Sequence, residues 1–166
     1  MMAINYSTKI FFGIIIQTIF LGCLNAWALT YEPLPPIPYP ADNPPSPEKE
    51  ALGSALFFDT RLSGNNKVSC STCHLKEENW TDGKPRAIGI DGQELGRNSP
   101  TIWNSGFSRS QFWDGRAASL EEQALMPIQD PFEMNQSLPE LIVELSALPE
   151  YPPLFEAAYG SPEITA

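Results

Sequence analysis

A chain of 166 residues with 20 Asp and Glu against 10 Lys and Arg carries a formal charge of −10. That balance excludes a nucleic-acid partner, whose phosphates it would repel, and suits a basic protein instead. Once a leader containing Cys23 is removed, Cys70, Cys73 and His74 are too few for a closed zinc site, which takes about four nitrogen or sulfur ligands.

At the N-terminus, Lys9 precedes an apolar run from Ile10 to Leu21, and Ala26-Trp27-Ala28 has the small-x-small pattern of a secretory cleavage site. The run falls short of the roughly 20 residues of a membrane span. Residues 1–28 therefore read as a signal peptide cleaved near Ala28, and the chain as periplasmic. Leu21-Gly22-Cys23 also resembles the start of a lipoprotein, but Phe20 fits such signals poorly, and this reading ranks second. Residues 29–47 read as a lead-in, with eight prolines between Tyr31 and Pro47 making it stiff and extended.

Residues 48–166 then read as one helical domain. The first helix is expected from Ser46 as N-cap, with Pro47 at its first position and Glu48 and Glu50 where the helix dipole favours anions. Ala51, Leu52, Ala55 and Leu56 form its apolar stripe.

A short helix opens near Ser69 and carries Cys70-Ser71-Thr72-Cys73-His74. Two thiols separated by two residues can each add to one vinyl group of a haem, while the adjacent imidazole reaches the iron from the same side. A covalently bound c-type haem, one in this chain, is the reading. Zinc would need more ligands, and a dithiol redox site would need no histidine and would sit in a βαβ setting.

From Leu75 to Trp113 the chain is rich in Gly, Asn and Asp with little periodicity. So long a loop in a compact domain is usually functional, and here it would wrap the haem. A third helix follows the capping box Ser119-Leu120-Glu121-Glu122 and is expected to stop at Pro127. A fourth repeats the device with Ser137 and Glu140, placing Leu138, Leu141, Ile142, Leu145 and Leu148 on one side. A short terminal helix from Leu154 to Tyr159 ends at Gly160 as a left-handed cap. The expected fold is all-α: a cytochrome c-like helical domain with long loops wrapped around a covalent haem.

Several blocks lie around the haem motif in a recognisable order: Leu56-Phe57-Phe58-Asp59-Thr60-Arg61-Leu62-Ser63-Gly64 before it, then Trp80-Thr81-Asp82-Gly83, Gly96-Arg97-Asn98-Ser99-Pro100-Thr101, Gln111-Phe112-Trp113-Asp114-Gly115-Arg116 and Pro131-Phe132-Glu133-Met134. Together they resemble the N-terminal, peroxidatic domain of bacterial di-haem cytochrome c peroxidases and the related methylamine-utilisation di-haem proteins. The resemblance implies that His74 is the proximal ligand of the peroxidatic haem iron and that Trp113 lies between two haems. It implies that Gln123 and Glu133 line the distal pocket and that Asn98 helps hold a calcium ion at a domain junction. Arg97 and Arg116 pair with haem propionates or with acidic side chains, and Met126 and Met134 are sixth ligands or packing residues.

The activity so implied is reduction of hydrogen peroxide with electrons from a small redox protein, a cytochrome or a cupredoxin. Glu133 would act as acid and base, Gln123 would orient peroxide or a water, and the second electron would come past Trp113. A homodimer is compatible with this reading. Two features depart from the family pattern. Gly89-Ile90-Asp91 lies roughly where many members carry a distal histidine, so the iron is expected to be five-coordinate or weakly water-ligated, without a reductive gate. The methylamine-utilisation branch shares that trait, which makes protein oxidation an alternative. There is also no second haem motif, and the chain is read as truncated, with its second haem domain missing. The remaining alternative is a single-haem electron carrier with no peroxidase activity.

Overall fold

The computed structural model describes residues 31–166, so the signal-peptide reading and Cys23 lie outside the described residues. The chain divides into two units, residues 1–36 and 37–166. Of the first, residues 31–36 have no regular secondary structure. The second unit holds five α-helices: α1 (Pro47–Phe58), α2 (Cys70–Cys73), α3 (Leu120–Gln129), α4 (Leu138–Ala147) and α5 (Tyr151–Tyr159). Among the described residues there is no β-sheet, only three isolated antiparallel bridges. The all-α expectation holds. No described helix is long and apolar enough to cross a membrane.

Helix α1 starts as its sequence dictates. The Ser46 hydroxyl accepts the Lys49 N–H at 3.2 Å, and Pro47 fills a position whose missing N–H costs nothing. Its core contact is Leu52, 3% exposed, with Leu56 packed alongside, whereas Ala51 is exposed. The expected stripe is therefore narrower by one residue.

Helix α3 runs past Pro127 to Gln129, two residues beyond the expected stop. A proline there removes the N–H that would reach the Gln123 carbonyl and crowds that carbonyl with its ring. The last turn is held by other means: Ile128 is buried in the core, and the Asp130 N–H closes on the Met126 carbonyl at 3.0 Å. The cap at the other end forms, with Ser119 Oγ accepting from Glu122 N–H at 3.1 Å and Glu122 Oε2 accepting from Ala118 N–H at 2.7 Å.

Helix α4 lacks the expected side-chain cap from Ser137. The neighbouring Gln136 takes over locally, its Oε1 accepting the Ser137 N–H at 2.9 Å, and Pro139 occupies the first turn. Leu141 and Leu145 are buried, with Leu138, Ile142 and Leu148 packed against the core, as the spacing predicts. Helix α5 begins at Tyr151, earlier than expected, because two prolines in a first turn forfeit no helical bond. It ends at Gly160, φ +78°, whose N–H returns to the Glu156 carbonyl at 2.8 Å.

Helix α5 packs along α1 and α4, burying Tyr151 and Phe155 against Leu52, Leu141 and Leu145. Met134 joins this core at 4% exposure, which settles it as a packing residue.

The stretch from Leu75 to Trp113 is built from local turns. Bridges pair Leu75 with Thr81 and Ile88 with Glu94, and short 3-10 turns intervene. Left-handed φ at Asn79, Asp91 and Asn104 uses residues that tolerate it. Trp80 and Phe112 adopt it too, at φ +60° and +67°, where bulky residues are strained.

Candidate functional site

Helix α2 is a single turn presenting Cys70 and Cys73, and His74 follows as its C-cap, its N–H donating to the Cys70 carbonyl at 3.0 Å. The His74 ring is fixed from one side: Nδ1 lies 3.1 Å from the Trp80 carbonyl. A carbonyl only accepts, so Nδ1 carries the proton and Nε2 is the nitrogen left for a metal. Trp80 reaches this position through its left-handed backbone, its own N–H returning to the Leu75 carbonyl at 2.8 Å. Phe57 of α1 lies against both rings, 6.5 Å from His74 and 6.0 Å from Trp80 between centroids.

Both cysteines are free and half-buried. Burial pushes the Cys70 thiol up, and proximity to Cys73 adds to it. Burial also raises Cys73, Ser99 opposes through a hydrogen bond, and the charges of Asp82 and Glu133 raise it further. Asp82 is 8% exposed, and although its Oδ1 accepts the Lys84 N–H at 3.2 Å, its Oδ2 has no partner. A buried carboxylate oxygen left unpaired beside the thiol is the mark of a site that takes a further group.

Glu133 follows α3 on a turn and lines an open cleft of about 320 Å³ with Arg116, Met126, Pro127, Gln129 and Asp130. Burial holds its carboxyl above the usual range, Asp130's charge adds to that, and Arg116 opposes it. Gln123 is half-buried on α3 and does not line this cleft.

Trp113 is 60% exposed, and its indole N–H donates to the Asn98 carbonyl at 3.1 Å. Arg97 and Arg116, for which two kinds of partner were open, both pair with the Asp114 carboxylate at 2.9 Å. Those two hydrogen bonds hold Asp114 at about 2. Arg116 also stacks on Phe112, 3.5 Å from the ring centroid.

The residues fit a covalently attached haem. Two free thiols and an oriented imidazole lie in five consecutive positions, with an unpaired buried carboxylate oxygen and an acidic cleft nearby. Sequence reasoning missed Asp114, which lies within a block it quoted and sits two residues from Arg116. It missed the Trp80 carbonyl altogether, because a main-chain partner leaves no mark on residue type.

The family model for di-haem cytochrome c peroxidases matches residues 47–166. The methylamine utilization protein MauG of Methylorubrum extorquens is 50% identical over 127 residues, covering 76% of this chain and 36% of that protein. The cytochrome c551 peroxidase of Pseudomonas aeruginosa is 44% identical over 117 residues, covering 70% of this chain and 34% of that protein. The crystal structure of a MauG-like protein associated with microbial copper homeostasis superposes with a TM-score of 0.71 at 40% identity, covering 85% of this chain and 42% of that one. The chain thus spans little more than a third of the length of these two relatives.

Proposed function

Because this chain belongs to the di-haem cytochrome c peroxidase family, we propose that it forms the haem domain of an exported peroxidase, reducing hydrogen peroxide with electrons from a small cytochrome or cupredoxin. In this reading residues 1–28 direct export, 29–47 lead in, and 48–166 hold one c-type haem through Cys70, Cys73 and His74. The observation that carries the reading is geometric. The Ile90 N–H donates to the Glu133 carbonyl at 2.9 Å, and two residues earlier the Ile88 carbonyl lies 3.9 Å from Cys73 Sγ, so the proposed acid and the attachment point share one neighbourhood.

A haem held there supplies an iron that binds peroxide and exchanges electrons singly. The chain's own residues supply the proton chemistry. Breaking the O–O bond requires a proton taken from one oxygen and given to the other, and Glu133, whose carboxyl burial holds above its ordinary value, is the group offered for both tasks. Arg116 faces the same cleft and limits that rise. Gln123, half-buried on α3 outside the lining of that cleft, is the residue offered to orient peroxide or a water. Trp113 is the aromatic residue offered to electrons from a second haem domain, and Asn98, which accepts its indole N–H, is a ligand for calcium at the junction. Arg97 and Arg116 border the cofactor, joined through Asp114.

A second reading, oxidation of a protein substrate, is favoured by the absence of a histidine in Gly89-Ile90-Asp91, where Ile90 is buried at 3% exposure.

The test is spectroscopic. The purified chain carries covalent haem, its ferric form is high-spin and reacts with peroxide, and Glu133→Gln slows that reaction by about 10²–10⁴. A low-spin, methionine-ligated ferric spectrum overturns the proposal. Oxidation of a reduced cytochrome during peroxide turnover separates the first reading from the second.

A further inference from the structure

The turn that carries Glu133 is gripped from two sides by glycines. On one side the Gly64 N–H donates to the Met134 carbonyl at 2.9 Å, and a Cβ on Gly64 would overlap the Asn135 carbonyl oxygen. On the other the Ile90 N–H donates to the Glu133 carbonyl at 2.9 Å, and a Cβ on Gly89 would overlap the Phe132 carbonyl oxygen. Gly89 has φ −85°, open to any residue, and neither glycine lies in the left-handed region. Space, not conformation, therefore excludes a side chain at both.

Each jaw ends on a haem-attachment cysteine. Gly64 follows Ser63, which is fully buried and whose Oγ donates to the Thr60 carbonyl at 2.8 Å. The same oxygen accepts the Lys67 and Val68 N–H groups at 3.2 and 3.0 Å, and two residues later comes Cys70. Gly89 follows Ile88, whose carbonyl oxygen lies 3.9 Å from Cys73 Sγ. Gly89 itself donates to the Gln93 carbonyl at 2.9 Å, closing its turn.

We propose that Gly64 and Gly89 are positioning residues: a two-sided clamp that fixes Glu133 relative to the helix bearing Cys70 and Cys73. The inference deepens the peroxidase reading and rests on it. In this chain, the segment from Gly89 to Asp91 acts as a fixed wall of the site. Any side chain at 64 or 89 pushes the 132–135 backbone away and moves the Glu133 carboxyl toward water.

The test compares Gly89→Ala and Gly64→Ala in the haem-loaded chain, with Gly53→Ala as control because nothing lies within 4 Å of that position. Both clamp variants retain covalent haem, react with peroxide at least about tenfold more slowly, and shift the pH limb set by Glu133 toward an ordinary carboxylate, an effect expected when a positioned group is displaced. The control matches wild type. In a Glu133→Gln background, Gly89→Ala adds less than about a twofold further loss, as coupled sites require. An equal loss in both backgrounds, or an unmoved pH limb, overturns the clamp. Isotope-edited infrared titration of the Glu133 carboxyl reads the same displacement without turnover. If Glu133→Gln alone leaves the rate unchanged, the peroxidase reading fails while this titration still judges the clamp. Should neither glycine variant fold, amide exchange on the wild-type chain decides: Gly64 and Ile90 exchange slowly and together, and fast exchange at either one overturns the proposal.

Discussion

The indole N–H of Trp113 donates to the main-chain carbonyl of Asn98, 3.1 Å away. An exposed aromatic ring is thereby fixed to the same short stretch that holds Arg97, which Asp114 in turn ties to Arg116. Trp113→Phe removes one exposed hydrogen bond and should cost only about 0.5–1.5 kcal/mol. Thermal unfolding checks this, and a larger loss would make the ring a packing residue and weaken its assignment to electron transfer.

Glu133 combines low stability with chemical use. Its folded pKa lies above the unfolded value because of burial, so it favours folding when protonated and that contribution fades as pH rises through the raised pKa. Glu133→Gln should therefore unfold at a higher temperature than wild type at pH 8 while reacting more slowly with peroxide. A variant that loses both stability and rate would contradict this.

Arg116 lowers the Glu133 pKa that burial and Asp130 raise. Arg116→Ala should move the Glu133 limb of the pH–rate profile to higher pH. Stability should change by less than about 1 kcal/mol, since its ion pair with Asp114 is exposed. Denaturant titration and a pH series test the two halves separately.

Away from the site, Tyr151 of α5 donates its hydroxyl to the Asp59 carboxylate, which also receives the Arg61 guanidinium at 2.6 Å. Burial alone would raise Asp59, but Arg61 and Tyr151 outweigh it and hold the group at about 2. A depressed carboxyl stabilises the fold above its unfolded pKa and loses that effect as pH falls toward the folded one. Acid unfolding between roughly pH 4 and pH 2 should thus be steeper in wild type than in Asp59→Asn. Tyr151→Phe should cost about 1.5–3 kcal/mol at neutral pH, as for a hydrogen bond to a charged group.

The helices were legible because their signals are local. Ser46 with Pro47, Ser119 with Glu122, and the leucines of α4 specify ends and faces within a few residues. The misreadings have different causes, tertiary burial in one case and neighbouring residues in others. Ile128 in the core carries α3 past Pro127, and Gln136 replaces Ser137 at the start of α4. Within the site, Cys70, Cys73 and His74 were readable because their chemistry demands contiguity. The convergence of Glu133 with Arg116 depends on contacts made far along the chain. Gly64 and Gly89 carry no chemical group at all, so only the crowding around them marks their role.

His74 is oriented by the oxygen of a peptide group, not by an aspartate or an asparagine. No single codon change at position 80 can delete that oxygen. Genetic drift can recolour the indole's outer face and still inherit an imidazole presented at the same angle. What such drift cannot tolerate is a residue that relaxes the left-handed twist at Trp80, so the vulnerability lies in main-chain shape.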